Sequence, residues 1–308
     1  MSNSSAISLQ KNGGRRTEKI RRLNRLYFAD YVMIGLGLVV ILLCITPLLN
    51  LAAKSLSSAD ALVAGKVFLI PKGLNFSAYK MVFGNSKYVH SLWYTALLTL
   101  GGTCLSLVMT TLCAYPLIFD KLKGRWIFNI IITITMFFNA GTIPNYLLMV
   151  NLKLLDTVWV LLVPFCLSVF NMIIMRSFFY GIPISLKESA ELDGASFFKI
   201  LIHVYLPLSK PVIATLALFY AVGRWNGYSD ALMYVKKESL FPIQLYLYNI
   251  ISGMSSMEVA IQDGYSTPGL SGTMKAAVVM FSTIPILIIY PWLQRYFIQG
   301  VTVGAVKE

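Results

Sequence analysis

Apolar positions in this chain come in blocks, apolar on every face, rather than in stripes. Six such stretches run roughly Tyr31–Leu51, Ser91–Leu117, Trp126–Val150, Thr157–Met175, Leu206–Trp225 and Ala276–Leu293. About 20 apolar residues in a helix cross the hydrocarbon layer of a bilayer, and backbone amides at that depth must bond within their own segment. The pattern therefore predicts six membrane-spanning helices. The alternating segments of about ten residues that a β-barrel needs do not occur.

The polar intervals between the blocks are unequal. The fourth and fifth blocks are separated by SLKESAELDGASFFKILIHVYLPLSKP, Ser185 to Pro211, which has an internal logic. Ser185 with Glu188 three residues on is a capping box and predicts a short helix to about Leu192. Asp193-Gly194 ends it, because glycine takes the left-handed conformation that closes helices. Ser196 can cap a second short helix carrying Phe197, Phe198, Ile200 and Leu201, and Pro207 suits the first turn of the fifth span. A helix, a tight turn and a helix between two spans make a compact knob of the shape another protein grips.

Composition agrees with a bilayer. With 57% apolar and 13% charged residues in 308, a soluble globule would lack a polar coat. The net charge of +13 would suit nucleic acid, yet Lys11, Arg15, Arg16, Lys19, Arg21, Arg22 and Arg25 crowd just before the first span. By the positive-inside rule they place the N-terminus in the cytoplasm, with membrane lipid rather than nucleic acid as their partner. Six spans return the C-terminus to the same side, in agreement with Lys121, Lys123 and Arg125 after span two and Arg295 after span six. Residues 1–30 do not read as a cleavable signal, so the first span is expected to stay as an anchor. The expected organisation is a basic cytoplasmic segment at 1–30, a six-helix domain at 31–295 and a cytoplasmic tail at 296–308. Within the domain the knob occupies 183–211 and outer loops occupy 52–90 and 226–273. Cys44, Cys104, Cys113 and Cys166 lie inside spans without metal-ligand spacing and read as packing residues.

Polar groups inside the spans are candidates for a translocation path. Gly101, Gly102, Thr103 and Ser106 let span two approach its neighbours closely. In span three, Asn139-Ala140-Gly141-Thr142-Ile143-Pro144-Asn145-Tyr146 interrupts the apolar run. Such a break is tolerated where it faces protein or a watery cavity, so Asn139, Thr142, Asn145 and Tyr146 are candidate cavity residues; helix packing accounts for the break equally well. Tyr220, Arg224, Trp225 and Asn226 form a second polar and aromatic group at the outer end of span five, facing the path or anchoring at the interface. Pro242 predicts a short helix over Phe241–Tyr248, and Pro285 and Pro291 predict kinks in span six. Spans one to four carry no carboxylate or lysine run suited to an ion relay, which argues against an ion-coupled carrier. His90 and His203 are the only histidines, and no HExxH, GxSxG or Walker-type loop is present. The chain is therefore expected to be no enzyme and to bind no cofactor of its own.

Glu188, Ala190, Asp193, Gly194, Ala195, Leu206, Pro207 and Pro211 fall at the spacings of the EAA loop, with Ser189 where that pattern usually has alanine. In this the chain resembles permease subunits of binding-protein-dependent ABC importers. Phe68–Gly73 followed by Tyr79, and the tail Gln294–Glu308, are similar to the maltose-permease group. The resemblance implies the type I importer permease fold, an all-α membrane protein of six transmembrane helices with cytoplasmic coupling helices between spans four and five. It implies import of a sugar, favouring an oligosaccharide, across the bacterial cytoplasmic (inner) membrane. The implied partners are a second homologous permease subunit in a heterodimer, two copies of an ABC ATPase that bind ATP and Mg, and an extracellular sugar-binding protein. Glu188, Ala190, Asp193, Gly194, Ala195, Phe197, Phe198, Leu206 and Pro207 would couple to the ATPase. In that scheme Glu188 pairs with an arginine, Gly194 permits the turn, Phe197 and Phe198 fill an apolar groove, and the tail reaches the ATPase interface. A permease for a non-sugar solute and an ion-coupled secondary transporter are the alternatives.

Overall fold

The computed structural model describes residues 28–138, 140–260 and 268–305, with side chains at 30–138, 140–252, 272–289 and 291; most of the basic N-terminal segment, Asn139 and the last three residues lie outside it. Among the described residues all regular structure is helical. Helix α1 (Phe28–Ser55) is followed by two short helices, α2 (Ala59–Val63) and α3 (Ser77–Gly84). Next comes α4 (Ser86–Ala114), which starts five residues before the apolar block because Asn85 caps it, its Oδ1 accepting from the Lys87 amide at 3.0 Å. Further along are α5 (Arg125–Phe137), α6 (Thr142–Asn151), α7 (Trp159–Leu162) and α8 (Val169–Tyr180). The knob holds α9 (Ile184–Leu192), α10 (Phe197–Ile200) and α11 (Leu206–Leu208), with a five-residue π turn, Leu201–Tyr205, between the last two. Then come α12 (Lys210–Asn226), α13 (Ser229–Tyr234), α14 (Ile243–Ala260) and α15 (Pro268–Ala305).

Three stretches are long and apolar enough to cross as unbroken helices, Asp30–Ser55, Ser86–Ile118 and Gly272–Ile289, and three more are bent pairs, which brings the number of spans to as many as six when each pair is one. Span three is interrupted between Phe137 and Thr142, at the start of the predicted interruption, and Thr142–Tyr146 is already helical. Span four carries a break that the apolar pattern does not announce. A 3-10 turn at Val163–Phe165 contains Pro164, and the segment Trp159–Phe165 that it ends meets Val169–Tyr180 at 49°. Pro164 has no amide to give the Val160 carbonyl, so the α-helix cannot continue through it.

Span five begins at Lys210 and not at Leu206. Helical residues Phe197–Leu208 meet Lys210–Asn226 at 82°. Pro211, not Pro207, occupies the first turn of the span, and Leu206 and Pro207 belong to the knob. Span six is helical without interruption through Pro285 and Pro291. The helix predicted over Phe241–Tyr248 is the start of the longer α14. It is tied to α4 by the Ile243 amide donating to Thr95 Oγ1 at 2.7 Å and by Ser91 Oγ donating to the Phe241 carbonyl at 2.5 Å.

The spans do not pack in chain order. Helix α1 lies against α15, α15 against α12, α12 against α4, α4 against α8, and α8 against α5. Gly102 permits one close approach, since a Cβ there would sit 3.3 Å from Leu162 Cδ2. The most hydrophobic stretch of α1 has none of its residues buried within the chain, as suits a helix turned to lipid. Cys44 and Cys104 are likewise exposed, so they do not pack inside this chain, whereas Cys113 and Cys166 are half-buried.

Candidate functional site

The knob is built on a Schellman closure. Helix α9 ends at Leu192, the Gly194 amide bonds back to the Glu191 carbonyl at 3.0 Å, and the Ala195 amide reaches the Ala190 carbonyl at 3.0 Å. This pair of bonds requires a left-handed residue between them, and Gly194 supplies it at φ +75°. Ala190 and Ala195 close the turn with apolar contact against the adjoining core. Ser196 caps α10 as predicted, its Oγ accepting from the Lys199 amide at 3.4 Å. The start of α9 differs from the capping-box expectation. The helix begins at Ile184 behind Pro183, no side chain caps it, and Ser185 already lies in its first turn.

One face of the knob is anchored and the other is bare. Ile200, Leu201 and Tyr205 are buried among Ala114, Met172 and Phe179 from spans two and four. Tyr115 Oη donates to the Phe197 carbonyl at 3.0 Å, and its ring stands edge-on to Phe119 and Tyr205. Lys187 pairs with Glu191 at 3.2 Å and lies 4.6 Å over the Phe119 ring. By contrast Leu192 is 90% exposed and Phe197 and Phe198 are each 62% exposed. Glu188 is exposed, and among the described residues it forms no ion pair. Beneath it a groove of about 610 Å³ runs between the end of span two and the knob, lined by Tyr115, Phe119, Glu188 and Phe197.

A second polar region lies at the opposite end of span five. The break in span four frees backbone groups, which at membrane depth need partners, and α12 provides them one turn apart. Tyr220 Oη accepts from the Ser168 amide at 3.1 Å and pairs with Thr110 Oγ1 at 2.6 Å. Arg224 donates from Nη1 to the Leu161 carbonyl at 2.6 Å and from Nη2 to Asp230 Oδ2 at 2.5 Å. The Arg224 and Asp230 side chains are 9% and 8% exposed, and the Phe165 ring lies 5.8 Å from the guanidinium. Around them is a cavity of about 390 Å³ whose walls include Ser106, Asn171, Tyr220, Arg224 and Asp230.

The other pathway candidates sit elsewhere. Asn139 lies outside the described residues. Thr142 opens α6 at an exposed position, Asn145 follows on the same helix, and Tyr146 stacks on Tyr234 at 6.1 Å; none of them lines the cavity. Trp225 is buried, with Nε1 donating to the Ser282 carbonyl at 3.2 Å, which joins span five to span six. Asn226 Nδ2 donates to Val222 O of its own helix at 3.0 Å. Of the candidates, Tyr220 and Arg224 of span five and Gly102 and Ser106 of span two border the cavity. Asp230, Asn171 and Ser168 escape sequence reasoning. The one signal for Asp230 is a lone carboxylate six residues after an arginine that ends an apolar run.

Comparison with known proteins agrees with this architecture. Residues 90–303 match the family described as binding-protein-dependent transport system inner membrane component. The polygalacturonan/rhamnogalacturonan transport system permease protein YtcP of Bacillus subtilis is 37% identical, the alignment covering 92% of this chain and 99% of that one. Protein LplC of the same organism is 38% identical over 89% of this chain and 91% of its own length. A chain in the crystal structure of a bacterial ABC transporter involved in the import of the acidic polysaccharide alginate superposes with a TM-score of 0.79 at 35% identity, covering 89% of this chain and 99% of that one. The protein is therefore a member of the binding-protein-dependent transport system inner membrane components, with the helical architecture of an ABC importer permease.

Proposed function

We propose that this chain is one permease half of an ATP-driven oligosaccharide importer in a bacterial cytoplasmic membrane, and that the knob is where an ABC ATPase seats. The observation that carries the coupling reading is the two-sidedness of the knob. Its buried side is fixed to spans two and four through Tyr115 and Tyr205, while Leu192, Phe197 and Phe198 stand in the open. Exposed apolar side chains on a rigid, hydrogen-bonded turn suit a stable protein contact. Glu188 beside them offers a carboxylate to an arginine of the ATPase.

Both termini and the knob then face the cytoplasm. A second homologous permease completes the path, two ATPase copies bind ATP and Mg, and an extracellular sugar-binding protein delivers cargo. Relatives named for polygalacturonan, rhamnogalacturonan and alginate support sugar as that cargo. A chain of the same fold, solved in an alginate transporter with a periplasmic protein holding an alginate pentasaccharide, supports a binding protein as donor. ATPase closure would pull the knob, and the spans packed on it would rock as a body to open the path to each side in turn.

The test is uptake into proteoliposomes holding the whole importer and its binding protein. Uptake of labelled oligosaccharide is expected only with ATP inside reach of the ATPase. Counterflow by this chain without the ATPase would contradict the reading in favour of a secondary carrier.

A further inference from the structure

We infer that the cavity beside Arg224 takes the carboxylate of an acidic sugar, which binds by displacing Asp230 from the guanidinium; this rests on the sugar reading above and deepens it. Arginine offers a planar fork that matches a carboxylate with two parallel bonds. Asp230 fills only half of that fork. Its Oδ2 meets Nη2 at 2.5 Å, while Nε, on the same edge, is shielded from solvent and has no partner within the described residues. A buried, unfilled donor on a cation is costly, and a permanent clamp would be expected to close both teeth.

The surroundings fit a sugar acid. Asn171, Ser168 and Ser106 border the cavity with hydrogen-bonding groups, and Phe165 and Phe219 give it apolar walls. A volume of about 390 Å³ lies within the range of small-molecule sites. Exchange of one carboxylate for another keeps the local charge balanced, which spares the cost of leaving a buried cation alone. Asp230 can leave without breaking a span, because it sits on the short helix α13 beyond the end of α12. Arg224 is joined to the span-four break through the Leu161 carbonyl, so the exchange acts at a joint in the path.

The test is equilibrium binding of a labelled galacturonate trisaccharide to the purified importer without its binding protein. Competition compares the unlabelled acid, its methyl ester and the neutral galactose trisaccharide. The acid should compete at least about tenfold better than the ester, the scale of one charge-assisted hydrogen bond. Arg224→Gln should weaken acid binding at least about tenfold, and Asp230→Asn should tighten it. Equal competition by acid and ester would overturn the inference, as would unchanged acid binding in Arg224→Gln. If Arg224→Gln does not assemble, weaker acid binding in Asp230→Asn overturns it just as well. Binding of the neutral trisaccharide alone would refute the inference and leave the sugar reading standing; binding of neither would refute both.

Discussion

Gly194 was legible in the sequence because its conformational meaning is local. A glycine after a short amphipathic helix points to a left-handed cap wherever the helix lies. The structure adds that nothing stands within 4 Å of a Cβ built there, so any penalty on substitution comes from φ alone. Coupling should therefore fall in order of left-handed tolerance, with Gly194→Asn mildest, Gly194→Ala about 1–2 kcal/mol worse for the turn, and Gly194→Val worst. Substrate-stimulated ATPase activity of the assembled importer would reveal that order, and equal activities would refute it. Ser185 misled for the opposite reason, since a capping box needs a non-helical residue and Pro183 already fixes the helix start upstream.

Asp156 was invisible for want of a partner near in sequence. Its Oδ1 accepts from the amides of Lys236 and Lys237 at 2.6 and 2.9 Å, and its own φ is +60°. Those amide bonds hold its carboxyl below the usual carboxylate value. A lowered folded-state pKa means the link is fully present above the unfolded value, near 4, and is lost as pH falls through the folded one. The protection of the 236 and 237 amides against hydrogen exchange, taken relative to the intrinsic rate at each pH, should fall only below about pH 4, and Asp156→Asn should remove that dependence. Protection already lost between pH 7 and pH 5 would contradict the assignment.

At the scale of elements, apolar blocks told where helices cross but not how they break. The kink in span four depends on Pro164, which the sequence displays, and on partners 52 and 63 residues distant, Tyr220 and Arg224, which it does not. Membrane-depth breaks survive only when such partners satisfy the freed amides. Tyr220→Phe removes the hydroxyl that meets both Ser168 and Thr110, at a cost of about 1–3 kcal/mol. The thermal midpoint of the detergent-solubilised importer should drop by several degrees, whereas an unchanged midpoint would show that the hydroxyl is dispensable. Span five illustrates the same limit. Two prolines, Pro207 and Pro211, could each open a helix, and only the 82° turn at Ser209 assigns one to the knob and the other to the membrane.

At the scale of the whole molecule, six spans and a knob could be read from the chain, but their order in space could not. The packing order one, six, five, two, four, three depends on contacts among residues far apart in sequence. Its consequence is that the knob grips spans two and four directly, through Tyr115 and Phe179, and span five through the bend at Ser209. A pull on the knob reaches three spans at once, two, four and five, and all three also border the polar cavity. The central claim is that an ATPase is seated on the bare face of the knob. A photo-crosslinking residue placed at Leu192 or Phe198 in the purified importer tests it most directly. Illumination should join this chain to the ATPase subunit, and Glu188→Ala should weaken that yield. Adducts with lipid, or with no second polypeptide at all, would contradict the account.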